Sequence, residues 1–237
     1  QSKFKARLRR RIDFARGLRE CFAHGKGSRI TTVNDYHFEP LGLTDYSFLA
    51  QETPERHMSV AGVTMFDAAP LRRPDGGIDF ATIRNATAVA IEQIPRYRQK
   101  LMWRSHRELA GYLDLHTVER EDESLPPVWI DDPDFDIDYH VRHTALPKPG
   151  SEAQLKPLAG RTVSQPLDRS RPLWETWVVE GLEGDRFALI SKLHHCMIDG
   201  MSGMDIATIL SSTSPGFVPR KPAPWRPRRA PTRRELE

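Results

Sequence analysis

The feature that most constrains this chain is a strand–turn–strand pattern that runs straight into a pair of histidines. Residues 174–179 and 187–193 each read as a strand, rich in Trp, Val, Ile and Leu. The turn Glu183-Gly184-Asp185 lies between them, so the two runs make an antiparallel hairpin. The second run leads into His194-His195-Cys196-Met197-Ile198-Asp199-Gly200, and residues 201–210 then carry a helix-like pattern. Gly200 permits a tight backbone at that strand-to-helix corner. Such a chain presents an imidazole at the end of a strand in a held orientation. Histidine is the side chain whose unperturbed pKa lies nearest neutrality, so it can take a proton from a hydroxyl and pass it on.

The rest of the chain alternates helix and strand signals. Residues 44–49 read as a short helical turn capped by Thr44 or Asp45, and 58–66 as a strand. Asp79 opens a helix that Pro95 ends, with Phe80, Ile83, Ala86, Val89, Ala90 and Ile94 at helical spacing. Residues 128–130 and 139–146 are further strands. Pro147 to Gly150 form a turn, and 151–164 form a helix with Leu155, Leu158 and Val163 inward.

Charge divides the chain into three parts. Residues 1–30 hold ten Lys/Arg against two Asp/Glu, and 217–237 hold seven against two, although the net charge is only +3. The body between them is therefore acidic. That argues against nucleic acid as a partner of the core and for basic appendages that meet an anionic surface. In residues 3–23, Phe4, Leu8, Ile12, Ala15, Leu18 and Phe22 recur at steps of three and four among Arg and Lys. A basic amphipathic helix of this kind suits an anionic membrane or lipid-droplet surface; the simpler alternative is a helix packed on the body with a solvated face. From Pro215 the chain is rich in Pro and Arg and loses all periodicity, as a stiff linker does. Gly25 to Glu39 is polar and reads as a connection, and from Pro40 the pattern becomes globular, which gives a basic amphipathic segment and connection over 1–39, a globular lobe over 40–214 and a linker over 215–237, with more protein expected beyond it. Two cysteines, Cys21 and Cys196, make no disulfide framework and fit a reducing cytoplasm.

Three chemistries can be built on residues 194–200. His195 can act as a general base. His194, His195 and Cys196 could in principle ligate a metal, but adjacent residues on a strand point to opposite faces and cannot easily share one. No metal is therefore expected. Cys196 could be a thiol nucleophile, yet catalytic pairs meet in space and a next-door histidine is badly aimed. The plain alternative is that both histidines are ordinary strand-end residues.

The pattern HHxxxDG resembles the signature of the CoA-dependent acyltransferase superfamily, which includes chloramphenicol acetyltransferase and peptide-synthetase condensation domains. Its neighbours narrow the resemblance. Pro166-Leu167-Asp168-Arg169-Ser170-Arg171-Pro172-Leu173-Trp174-Glu175, the stretch from Phe135 to His143, Ile94 to Leu101, and Glu52-Thr53-Pro54 with His57-Met58 all resemble blocks of the bacterial wax ester synthase/acyl-CoA:diacylglycerol acyltransferases, in the same order. The resemblance implies an α/β (α+β) fold, a chloramphenicol-acetyltransferase-like lobe with a mixed sheet flanked by helices, half of a two-lobed enzyme whose active site lies between the lobes. It implies His195 as general base, with His194, Asp199, Gly200 and Arg171 as support. Asp199 then anchors the loop through Arg171 or Arg169. Pro172, Leu173 and Trp174 would lie near the substrate channel, although Trp174 also suits a core position. Acyl-CoA is the implied co-substrate, with no further cofactor. Diacylglycerol or a long-chain alcohol is the implied acceptor, and a C-terminal lobe of the same protein the implied partner. The runners-up are a condensation-type reaction on another alcohol or carrier-bound acceptor, and a lobe that only binds lipid.

Overall fold

A computed structural model describes residues 35–103, 126–198, 220–232 and 235–236. The basic helix expected over 3–23, the helix over 201–210, and Asp199 and Gly200 lie outside the described residues. The chain divides into residues 1–35 and a unit from Tyr36 to Glu237. That second unit starts a few residues before Pro40, where the sequence pattern becomes globular.

The expected hairpin is the spine of the lobe. Strands β6 (Trp174–Leu182) and β7 (Arg186–His194) pair antiparallel in a four-stranded sheet of order β2-β7-β6-β5. Strand β2 (Ser59–Asp67) is antiparallel to β7, and β5 (Val141–Ala145) is parallel to β6. Helix α4 (Glu152–Ser164) makes the crossover between β5 and β6, as a parallel pair requires. It starts at a capping box in which Ser151 and Gln154 satisfy each other's backbone donors. The turn before it touches the hairpin. Gly150 has φ +79°, and a Cβ there would stand 1.8 Å from the Gly181 carbonyl oxygen. Only glycine allows this approach.

One face of the sheet packs on α4 through Leu155, Val179, Leu182, Ala188 and Ile190. The other face carries the larger core, which includes Leu49, Ile83, Tyr97, Trp129, Leu173, Trp174, Val178 and Leu189. With both faces covered, β7 buries polar positions as well. Lys192 is 1% exposed, and its ammonium donates to the carbonyls of Thr162 and Gln165, each at 2.9 Å, at the C-terminus of α4. A cation at that end of a helix satisfies carbonyls the helix leaves open and opposes its dipole.

Two helices refine the sequence reading. The first, α1, spans Leu43–Gln51 with Gly42 as its N-cap and no side-chain cap, so Thr44 and Asp45 belong to its first turn. The cap shifts because the helix begins with the Tyr46 N–H donating to the Gly42 carbonyl, 2.8 Å away. The second, α2 (Phe80–Ala90), is capped by Asp79, which accepts from the Thr82 N–H and hydroxyl. Residues Ile137–His140 form a short helix, α3, in place of the start of a strand, because Asp136 accepts from the Asp138 N–H and closes a turn there.

A small second sheet, of order β1-β4-β3, joins Glu39–Pro40, Val128–Asp131 and Gln99–Met102. The tail is strapped to this end of the lobe. Residues 220–232 contain no helix or strand. Trp225 donates its indole N–H to the Asp132 carbonyl at 2.7 Å and lies under the Arg98 guanidinium. Arg228 binds both Asp131 carboxylate oxygens, and Arg220 pairs with Glu92. Two basic side chains of this stretch, Arg220 and Arg228, thus neutralise carboxylates of the lobe.

At the centre of the core, His140 is fully buried and stacks between Phe135 and Trp174, with ring centroids 5.2 and 4.6 Å away. Its Nδ1 lies 2.7 Å from the Trp174 carbonyl oxygen, which can only accept, so Nδ1 carries the proton. Burial, partly offset by that hydrogen bond, pushes the His140 pKa down from 6.5 to about 4. A histidine held neutral by the fold stabilises fully above its unfolded pKa, and that contribution falls as pH drops from 6.5 towards 4. The difference corresponds to at most about 3 kcal/mol. Thermal unfolding should therefore come at a lower temperature at pH 5 than at pH 7. The decrease should be visibly smaller in His140→Phe; equal decreases in both proteins would refute this role.

Candidate functional site

The tandem histidines sit where β7 leaves the sheet, and the backbone holds them from both sides. The His194 N–H donates to the Leu173 carbonyl at 2.9 Å, on the β6 side. The His195 N–H donates to the Met58 carbonyl at 2.7 Å, on the β2 side. Residues His195–Met197 then form a single 3-10 turn, closed by the Ile198 N–H to the His195 carbonyl at 3.1 Å. A strand that ends in a tight turn between two neighbours aims its last side chains within narrow limits.

The two imidazoles have different surroundings. His194 is 1% exposed. Its Nδ1 accepts from the Cys196 N–H at 3.1 Å, so in the neutral ring Nε2 carries the proton. Nε2 faces Glu52 Oε2 at 3.4 Å. Burial pushes the His194 pKa down, and the neighbouring Glu52 carboxylate opposes this without reversing it. His194 is thus a neutral, internally engaged ring. His195 is only partly buried. Its ring stacks on Phe48 of α1, with centroids 3.8 Å apart and planes 23° apart. Its Nδ1 is buried with no hydrogen-bond partner among the described residues. Nε2 is therefore the atom able to reach a reactant.

Glu52, at the end of α1, ties this corner together. Its carboxylate accepts from Arg169 at 2.6 Å and from the Met58 N–H at 3.2 Å, and it faces His194. Burial works against its charge, but the Arg169 hydrogen bond, the Met58 N–H and the Arg169 charge outweigh it, and the carboxyl is held below its usual 4.5. Arg169 also reaches the Leu49 carbonyl at 3.4 Å.

Several sequence-predicted residues now have places. Arg169 is engaged by Glu52. Arg171 lies 3.5 Å from Asp168 and over the Tyr139 ring at 4.2 Å. Their expected partner Asp199, with Gly200, is outside the described residues. Pro172, Leu173 and Trp174 all lie in the interior of the lobe. Trp174, 1% exposed, donates its indole N–H to the Tyr97 carbonyl at 2.8 Å. Leu173 contributes through its carbonyl, which holds His194. Cys196 is buried, and burial pushes its thiol far up, which removes it as a nucleophile. Among the described residues no three His, Cys, Asp or Glu side chains are grouped to hold a metal. Phe48 was assigned no role from sequence. Glu52 was visible only as a member of the block Glu52-Thr53-Pro54, with nothing to pair it with Arg169, which is 117 residues away.

Comparison with known proteins identifies the family. The wax ester synthase/diacylglycerol acyltransferase catalytic domain matches residues 41–237. The probable diacylglycerol O-acyltransferase tgs3 of Mycobacterium tuberculosis is 40% identical over 171 residues, which are 72% of this chain and 55% of that protein. The wax ester synthase/diacylglycerol acyltransferase from Marinobacter aquaeolei VT8 superposes with a TM-score of 0.54 at 29% identity, over 72% of this chain and 36% of that one. The starter condensation domain of rhizomide synthetase RzmA shares the fold, with a TM-score of 0.51 at 15% identity over 73% of this chain and 38% of that one. The chain spans about half the length of the first of these relatives, and less of the two solved structures.

The Glu52–Arg169 pair makes a stability prediction. Arg169→Met leaves a largely buried carboxylate without its cation. Because the arginine side chain is 35% exposed, the loss should be moderated by solvent, to about 1–3 kcal/mol at pH 7. The double variant Glu52→Gln/Arg169→Met should recover part of it. Since the folded carboxyl lies below its usual value, the pair stabilises fully above pH 4.5 and loses its effect as pH falls through the folded value. Urea unfolding at neutral and acidic pH tests this; an unchanged midpoint for Arg169→Met at pH 7 would contradict it.

Proposed function

This chain belongs to the wax ester synthase/diacylglycerol acyltransferase family, and we propose that the protein transfers a long-chain acyl group from acyl-CoA to the hydroxyl of a diacylglycerol or a long-chain alcohol. The observation that carries this reading is the contrast between the two histidines. His194 has both nitrogens facing internal groups, whereas His195 stands at the strand end with one nitrogen able to meet substrate.

In the proposed reaction His195 Nε2 accepts the proton of the acceptor hydroxyl as its oxygen bonds to the thioester carbonyl carbon. The tetrahedral centre then collapses, the carbon–sulfur bond breaks, and the CoA thiolate leaves with the proton from His195. The products are the ester and CoA-SH, and the imidazole returns to its neutral state. A positioned base of this kind contributes about 10²–10⁴-fold, and approach geometry supplies a further share. The family resemblance supports a second lobe as the opposite wall of the site. Asp199 and Gly200 are read as the support of the loop after His195. The basic amphipathic pattern of residues 3–23 supports a peripheral seat on an anionic membrane or lipid-droplet surface, where the lipid acceptor is concentrated, on the cytoplasmic side.

The test is His195→Ala in the full-length protein, assayed with radiolabelled palmitoyl-CoA and either diolein or hexadecanol. Ester formation should fall by about 10²–10⁴-fold, and a rate within about tenfold of the parent would refute the base assignment. Thin-layer chromatography with both acceptors in competition reads the balance of triacylglycerol and wax ester.

A further inference from the structure

We infer that Phe48 is a positioning residue for His195, its stacked aromatic face aiming the imidazole of the base. The inference rests on the reading of His195 as the base. General-base histidines are usually oriented by a hydrogen bond from the second ring nitrogen to a carboxylate or carbonyl. Here Nδ1 is buried and finds no such partner among the described residues. Glu52, the carboxylate at this corner, is committed to Arg169, the Met58 N–H and His194. The ring contact of His195 is with Phe48, close and nearly parallel, at 3.8 Å and 23°.

The backbone of His195 is fixed through Met58, but its ring is joined by a torsion with a broad, soft profile. A flat face stacked on the imidazole restricts rotation about that torsion, because turning the ring out of plane drives its edge into the phenyl group. The backbone that carries Phe48 is itself held. Its neighbour Leu49 is in the core, the Leu49 carbonyl accepts from Arg169, and one helical turn later Glu52 binds the same guanidinium. Helix α1 therefore acts as a bracket, with Phe48 on His195 and Glu52 beside His194.

The experiment compares Phe48→Ala, Phe48→Leu and Phe48→Tyr with the parent, alone and combined with His195→Ala, in the full-length protein. Thermal unfolding and circular dichroism establish that each is folded. If Phe48 aims the base, kcat of Phe48→Ala falls by about 10–100-fold while KM for palmitoyl-CoA moves little. Phe48→Tyr keeps the flat face and should stay near the parent. Phe48→Leu fills the volume without a flat face and should remain impaired, and this pair carries the test if Phe48→Ala does not fold. In the His195→Ala background, Phe48→Ala should have no further effect. Recovery by Leu equal to that by Tyr would reduce Phe48 to packing. A further loss in the His195→Ala background would place its action elsewhere. Either result overturns the inference, as does a parent-like kcat for Phe48→Ala. A parent-like rate for His195→Ala would instead remove the base reading on which the inference stands.

Discussion

The corner that carries the histidines depends on a backbone ladder. Strand β7 is hydrogen-bonded along its length to β2 on one side and β6 on the other. The ladder continues past the last paired residues, through Leu173 to His194 and through Met58 to His195. A side chain needs a rigid base before it can be aimed, and a central strand supplies the stiffest one available. The core on both faces of the sheet covers β7 and restrains that strand further.

Buried polar groups around the corner are arranged so that each has a reason to stay. Lys192 closes the C-terminus of α4, which fastens that helix to the histidine strand two residues before His194. Glu52 and Arg169 join the end of α1 to the loop that enters β6. Such groups are costly to bury alone and rigid once satisfied. They convert a lobe held by apolar contacts into one with a specified corner.

The strands of the four-stranded sheet, the crossover helix and the histidine pair were legible in the sequence because they depend on short-range patterns, whereas β1 and β3 of the small sheet were not. Alternation, turn residues and helical spacing are local, and they placed β6, β7, α2 and α4 close to where they stand. Errors arose where neighbours competed. The α1 cap moved to Gly42, and residues Ile137–His140 became helical because an Asp side chain closed the turn. The tail read as extended from its prolines, but its attachment to Asp131, Asp132 and Glu92 was invisible, since those partners lie about a hundred residues away in the chain.

By itself the sequence determined that an imidazole pair would stand at the end of a hairpin strand, that the fold would mix strands and helices, and which family the ordered motifs resemble. Tertiary structure alone decided how the surroundings of the two rings differ. Burial and the Cys196 N–H make His194 an internal, neutral ring, while Phe48 and the Met58 carbonyl hold His195 at the edge of the lobe. It also gave Arg169 to Glu52 and put Trp174 in the core. The reason is physical. Periodicity records which face of an element is apolar, but desolvation and hydrogen-bond partnership depend on which distant residues arrive beside it.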